Sequence, residues 1–194
     1  MSRSIWTKLT VNKKEFKLLD LDHPQIEKDI LQEIKSGVEV YYDRRWELTQ
    51  EFCGFVYEMP ALFQNKNILI VGAGIGAETV VIGSMVKKLY INDIAPVALD
   101  YCARQLRENN ITDIETIPGS YESIDIPDVD LAVACFCVYN SATMRAMKSF
   151  IEKSENPVLI VNDPLPSFVR LMKSVEKKMM PLVPEERFPC YLFE

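Results

Sequence analysis

From residue 67 onward, short apolar runs alternate with stretches whose apolar positions recur every three or four residues. Asn67–Val71, Lys88–Asn92, Ile114–Ile117, Leu131–Val138 and Val158–Val161 read as strands. Runs that lack in-and-out alternation are typical of strands covered on both faces. Between them, Ala77–Val86, Pro96–Asn109, a segment carrying Met144, Met147, Phe150 and Ile151, and Ser167–Lys178 have helical spacing. In the second of these helices Leu99, Cys102 and Leu106 fall on one face, and Arg187–Phe193 closes the chain as a short strand-like tail. Doubly covered strands separated by helices predict an α/β fold with a doubly wound, mostly parallel sheet.

Residues 1–66 follow a different rhythm. Pro24 opens a helix with Ile26, Ile30 and Ile34 at four-residue spacing, and Gly37 stops it. A second helix is expected over Arg45–Tyr57, with Trp46, Phe52 and Cys53 at apolar positions. The segment is therefore expected to be an N-terminal helical extension.

A chain of 194 residues, 48% hydrophobic and 26% charged, fits a globular protein with one sizeable core. The first residues, MSRSIWTKLTVNKKEF, lack the apolar stretch of a signal peptide, and no apolar run is long enough to span a bilayer. No membrane association and a cytoplasmic location are expected. Net charge is −6 with scattered Lys and Arg, which argues against a nucleic-acid partner needing several phosphates neutralised. Cys53, Cys102, Cys135, Cys137 and Cys190 form no CxxC pair, and His23 is the lone histidine. Reduced, buried thiols and no metal site are expected. The sequence leaves the oligomeric state open.

In doubly wound sheets ligands sit beyond the carboxyl ends of the strands, near the point where strand order reverses. That directs attention to Gly72–Gly76, Asp93, Gly119–Glu122, Cys135–Asn140 and Asn162–Pro166, all of which follow strands. In NILIVGAGIGAETVV, Gly72, Gly74 and Ala77 satisfy G-x-G-x-x-G/A, a pattern that lets a backbone approach the cofactor closely. The pattern alone also suits a nicotinamide site, but the 118 residues after Gly76 leave no room for a separate substrate domain. Asp93 ends the second strand, 17 residues past Gly76, where it can accept hydrogen bonds from ribose hydroxyls or serve as a turn residue at a helix start.

The ordered series WELTQEF (Trp46–Phe52), GAG (Gly72–Gly74), NDIAP (Asn92–Pro96), Tyr139 after the fourth strand and VLIVNDP (Val158–Pro164) resembles class I, seven-strand S-adenosylmethionine-dependent methyltransferases. It is most similar to the protein-lysine methyltransferases that modify the β subunit of electron transfer flavoprotein, over about residues 42–194. The resemblance implies a Rossmann-like seven-strand sheet, with residues 67–194 as the methyltransferase domain and 1–66 covering the cofactor. Gly72, Gly74 and Gly76 would pass under the methionine and ribose of S-adenosyl-L-methionine, and Asp93 would hold the ribose. Ser120 and Tyr121 would flank the adenine, Cys135 would line the site, and Trp46 and Gln50 would close over it. Trp46 is equally readable as a core aromatic.

Two positions depart from the family pattern. Ile70 stands where the class carries an acid two residues before the first glycine. Phe136-Cys137-Val138-Tyr139 stands where the lysine enzymes carry Asp-x-x-Tyr. Tyr139 and Asp163 remain the candidate catalytic residues, Asp163 either orienting an amine or capping the turn before Pro164. The expected reaction is methylation of a nitrogen, on a protein lysine or a small-molecule amine. Alternatives are an apolar or aromatic small-molecule acceptor packed on Phe136, or a silent cofactor-binding module.

Overall fold

The computed structural model describes residues 3–184 and 186–194. The chain opens with a hairpin, β1 (Trp6–Val11) and β2 (Lys14–Leu19), paired antiparallel from Val11↔Lys14 to Trp6↔Leu19. Its two-residue turn holds Asn12 and Lys13 at φ +47° and +65°, the left-handed pair that matches the twist of a tight hairpin. The purely helical extension expected for residues 1–66 is corrected on this point. In β2 the buried Phe16 and Leu18 alternate with the exposed Glu15 and Lys17, a strand pattern. Asn-Lys, however, is a weaker turn signal than Asn-Gly.

Helix α1 (Pro24–Lys35) follows, with Pro24 in its first turn and the His23 side chain accepting from the Gln25 amide. Ile26 and Ile30 are buried as expected, whereas Ile34 is exposed and Glu33 is buried in its place. Helix α2 (Thr49–Glu58) begins four residues later than its pattern suggests, and α3 (Pro60–Phe63) is a single turn after it.

The remainder is the alternating unit: β3 (Asn67–Val71), α4 (Ala77–Gly83), β4 (Lys88–Asp93), α5 (Pro96–Glu108), β5 (Ile114–Pro118), β6 (Leu131–Cys135), α6 (Ser141–Lys153), β7 (Val158–Val161), α7 (Pro166–Ser174), β8 (Met179–Pro181) and β9 (Cys190–Phe193). Seven strands form one sheet in the order β5-β4-β3-β6-β7-β9-β8. The first five are parallel, and β9 runs antiparallel to both neighbours. The Rossmann-like, mostly parallel seven-strand sheet read from the sequence is thus the fold.

The central strands bury both faces. Ile68, Ile70, Leu89, Ile91, Val133 and Leu159 pack in one cluster with residues of α2, α4 and α5, while Leu69, Val71, Ala132, Ala134 and Ile160 pack with α6 and α7. This explains the unbroken apolar runs in the sequence. Val11, Phe16 and Leu18 of the hairpin and Phe52, Phe55 and Val56 of α2 belong to the same core as the first face. The Leu19 amide also donates to Gln105 Oε1 on α5 at 2.7 Å. The hairpin is therefore pinned to the sheet-covering helices by both apolar and polar contacts.

Strand order reverses at β3, with β4 on one side and β6 on the other. The crevice beyond the ends of β3 and β6 is where such folds take ligands.

Candidate active site

The loop leaving β3 is built on two left-handed glycines, Gly72 at φ +60° and Gly74 at φ +52°. A side chain at Gly72 would place its Cβ 2.7 Å from Cys137 Sγ, and one at Gly74 would come within 3.1 Å of Tyr42 Cβ. A Cβ at Gly76 would collide with the Glu78 carboxylate. At Gly72 and Gly74 bare backbone is thus required by conformation as well as by neighbours, and it leaves the loop's face open.

Asp93, at the end of β4, ties this loop to the next. Gly74 N donates to Asp93 Oδ2 at 2.8 Å, and Ala95 N donates to Oδ1 at 2.9 Å. Burial pushes the Asp93 carboxyl above its ordinary range, and the Ala95 and Gly74 amides oppose that shift. It is 9% exposed and lines the cavity at the crevice.

That cavity measures about 290 Å³. Gly72, Gly74, Gly76 and Asp93 line it, with Ser120 and Tyr121 from the loop after β5 and Cys135 at the end of β6. Residues 39–49 supply a further wall through Tyr41, Tyr42, Arg45, Trp46 and Thr49. Gln50 does not line it; that residue is exposed, and the buried Thr49 faces the cavity instead. The correction is one of helix phase, since a single residue turns the side chain by about 100°.

The loop after β6 is shaped by an outlier. Phe136 is buried yet held at φ +55°, and the strand ends at Cys135 rather than at Val138 as its apolar run suggests. Such strain persists only where surroundings enforce it. Here the buried Asn162 side chain does so, accepting from Val138 N at 3.0 Å and donating to Val138 O at 3.2 Å. Cys137 Sγ donates to Val71 O at 3.2 Å across the strand-order switch. Burial raises both the Cys135 and Cys137 thiols, so they are neutral packing groups and not nucleophiles.

Tyr139 is positioned by the start of α6. Its amide and that of Asn140 donate to Thr143 Oγ1 at 2.9 and 3.0 Å, while Asn140 Oδ1 caps the helix through Ala142 N and Thr143 N. The Tyr139 ring stacks with Tyr41 at 4.2 Å and Trp46 at 5.2 Å, and Trp46 also lies 6.2 Å from Phe136. Four aromatic rings from two segments far apart in sequence thus converge at one side of the cavity. Burial raises the Tyr139 phenol well above its usual value, so it stays protonated.

Asp163 is half-buried and lies outside the residues that line the cavity. Burial raises its carboxyl, and Glu47 adds like-charge repulsion. Sequence reasoning missed Glu78 and Arg45. Glu78 is 6% exposed in the first turn of α4, with burial pushing its carboxyl up to about 7. Arg45 keeps much of its surface exposed, but its guanidinium donates from Nη2 to Leu19 O at 2.7 Å and is desolvated enough to lower its pKa. The one usable signal is an acid directly after the glycine loop. Ile94, beside Asp93, also lines the cavity with 61% of its surface exposed.

Among the described residues no group of three or more His, Cys, Asp or Glu is placed to hold a metal, and no helix is long and apolar enough to cross a membrane.

This sheet order, its reversed β9 and a glycine loop bonded to the acid at the end of the neighbouring strand, beside the switch point, define the fold of the class I S-adenosylmethionine-dependent methyltransferases. Comparisons with known proteins agree. No family model matches the chain. Over 107 residues it is 24% identical to the curated "Probable ribosomal RNA small subunit methyltransferase A" of Methanosphaera stadtmanae, covering 55% of this chain and 40% of that protein. The chain therefore matches well under half the length of that relative. Among solved structures it superposes on a SAM-dependent methyltransferase from Aquifex aeolicus with TM-score 0.55 and 16% identity, covering 73% of this chain and 87% of that one. An rRNA methylase from Streptococcus thermophilus aligns with TM-score 0.50 and 15% identity over 76% of this chain and 94% of its own.

These findings overturn the exclusion of nucleic acid drawn from charge, because the curated relative and the Streptococcus protein are both named for ribosomal RNA. Net charge sums a whole surface and does not fix the potential at any one patch.

Proposed function

We propose that this chain is an S-adenosylmethionine-dependent methyltransferase acting on a nitrogen carried by a planar, uncharged acceptor. The observation that carries the cofactor reading is the pairing of Asp93 with the Gly74 amide beside an open cavity. The donor set fits the group. Asp93 has lone pairs left for ribose hydroxyls, the glycine loop admits close backbone approach, and the exposed Ile94 offers an apolar surface to adenine. Ser120 and Tyr121 would flank the adenine, with Trp46 and Cys135 as further walls.

When bound, the cofactor supplies an electrophilic methyl on a sulfonium. What the chain must add is alignment of the acceptor behind that methyl and exclusion of water. Trp46, Tyr139 and Tyr41 favour a flat acceptor through stacking, and their faces also favour nearby positive charge. A lysine ammonium would need a base before it could attack. With Phe136 apolar beside the stack and Asp163 outside the cavity lining, such a base is poorly provided. A neutral planar nitrogen needs none before the attack, which supports that acceptor class over a protein lysine. An RNA base is a member of this class, and the names of the relatives make RNA the first pool to try.

The test is incubation of the purified chain with methyl-labelled cofactor and a lysate split into RNA, protein and small-molecule fractions. Label in RNA or in small planar amines is expected. Label confined to protein would restore the lysine reading, and no label in any fraction would leave a silent binding module.

A further inference from the structure

We propose that α6 and α7 form a docking face for single-stranded RNA, whose phosphates meet Arg145, Lys148, Arg170 and Lys173 while one base enters the cavity. The inference rests on the reading of that cavity as a methyl-transfer site for a planar nitrogen, and it selects RNA among the acceptors which that reading allows.

The negative charge of the chain is not spread evenly over the two faces of its sheet. On one face α2, α4 and α5 carry five acids against two arginines. On the other, α6 and α7 carry five Lys and Arg against the single acid Glu152. A chain of net charge −6 thus presents one face of the opposite sign. Such a face attracts a polyanion whatever the total charge.

The basic side chains repeat in matched positions. α6 and α7 follow the parallel neighbours β6 and β7, so both begin at the same end of the sheet, and they pack side by side. Arg145 and Arg170 are each fifth in their helix, and Lys148 and Lys173 are each eighth. Three residues advance a helix by about 4.5 Å and return nearly to the same side, which sets two short rows of charge next to one another. Arg145, Arg170 and Lys173 are exposed. Among the described residues Arg145 and Lys173 form no ion pair, and Arg170 spends only Nε, on Pro166 O at 3.2 Å. Lys148 meets Glu152 at 3.4 Å, a surface pair of little strength. Lys153, by contrast, is engaged with the carbonyls of Glu122 and Ile124.

The strip begins at the cavity. Ala142, Thr143 and Ala146 of α6 line it, and Arg145 stands among them in sequence. From Ser141 to Lys148 the helix advances about 10 Å, so the charges cover the ground beside the cavity where nucleotides flanking a captured base would lie. Single-stranded RNA is commonly held by a base splayed onto aromatic rings and a backbone tracked by positive charge. Tyr41, Trp46 and Tyr139 supply the rings. An ordinary solvated helix face mixes both signs of charge and would not explain matched positions of one sign. An acidic protein would answer the charge but leave the aromatic stack without a planar guest.

The experiment follows the anisotropy of a labelled single-stranded RNA of about 12 nucleotides, of mixed sequence, on titration with the full chain and no cofactor. The logarithm of the affinity should fall against that of salt with a slope of about −3, the value for four phosphates on a single strand. Arg145→Gln with Lys148→Gln, and Arg170→Gln with Lys173→Gln, should each flatten that slope by about 1.4 and weaken binding about tenfold at low salt. Lys13→Gln with Lys14→Gln, at the hairpin turn, should change binding by less than about twofold. Titration with S-adenosylhomocysteine should match the wild type within about twofold in every variant, which reports that each is folded. Unchanged RNA binding in both helix variants, or an equal loss in the hairpin variant, would overturn the face while leaving the cofactor reading intact. Binding of a polyglutamate peptide with the same dependence on the variants, and none of RNA, would overturn it in favour of an acidic protein. RNA binding as expected with no binding of S-adenosylhomocysteine would support the face and sink the methyltransferase reading instead.

Discussion

The Gly74 amide and the Asp93 carboxylate meet at 2.8 Å, joining the loops that leave two adjacent parallel strands. One contact thereby sets both the shape of the glycine turn and the place of the acid beside it. Removing the charge should loosen both. Asp93→Asn retains the volume but turns one acceptor into a donor facing backbone N–H groups. Cofactor affinity is expected to fall roughly 10- to 100-fold, the loss of one or two charge-assisted hydrogen bonds, as measured by titration calorimetry.

Gly72 faces two separate obstacles to substitution, a left-handed φ of +60° and Cys137 Sγ only 2.7 Å from where a Cβ would stand. Gly72→Ala should destabilise the protein by about 2 kcal/mol or more through strain and overlap together. Adding Cys137→Ala should recover the overlap but not the strain. Urea unfolding of the two single variants and the double variant measures the coupling, and strict additivity would contradict the contact.

Tyr139 contributes a ring between Tyr41 and Trp46, 4.2 and 5.2 Å away. Tyr139→Phe keeps that surface and should hold kcat within about fivefold, whereas Tyr139→Ala should lower kcat/KM by about 100-fold through lost alignment. A large loss in the Phe variant would instead assign the work to the hydroxyl.

Glu78 gives the stability a pH dependence of definite sign. Its carboxyl titrates at about 7 in the folded chain against an ordinary 4.5, because burial disfavours the charged form. The folded state therefore holds the proton more tightly than the unfolded one, so stability is lost as pH rises from about 4.5 to about 7 and then levels off. Arg45 opposes the shift, and the thiols of Cys53, Cys102, Cys135 and Cys137 are all raised by burial and stay neutral. Glu78→Gln lacks this titration. Its stability relative to the wild type should improve between about pH 5 and 8 by an amount on the order of 3 kcal/mol, read from thermal melts across that range.

Asp163 lies outside the cavity lining, where burial and the nearby Glu47 raise its carboxyl. Asp163→Asn should leave methyl transfer within about twofold of wild type, as for most substitutions away from a site. A loss of more than about tenfold would return it to the chemistry.

Local pattern makes much of the sheet legible. Asn67–Val71 and Val158–Val161 are strands over the residues their apolar runs mark, since doubly buried strands tolerate little else. Gly72 and Gly74 are legible because a left-handed turn selects glycine whatever surrounds it. The strand-end position of Asp93 is legible for the same local reason. The end of β6 is not, because the bend at Phe136 is held by Asn162 from the loop after β7 and leaves no mark on the apolar run.

The alternation of strands and helices, the sharp glycine turn and the acid beside it can all be read from the linear chain. Each depends on the φ, ψ and burial of a few consecutive residues. Three features arise only once distant segments pack together. Thr49 rather than Gln50 faces the cavity, Tyr41, Trp46, Phe136 and Tyr139 gather in one stack, and Glu78 and Arg45 share one space. They follow from how the N-terminal hairpin and α2 dock on the sheet-covering helices. Docking is a sum of many weak, non-directional contacts between distant segments, which no short stretch of sequence encodes.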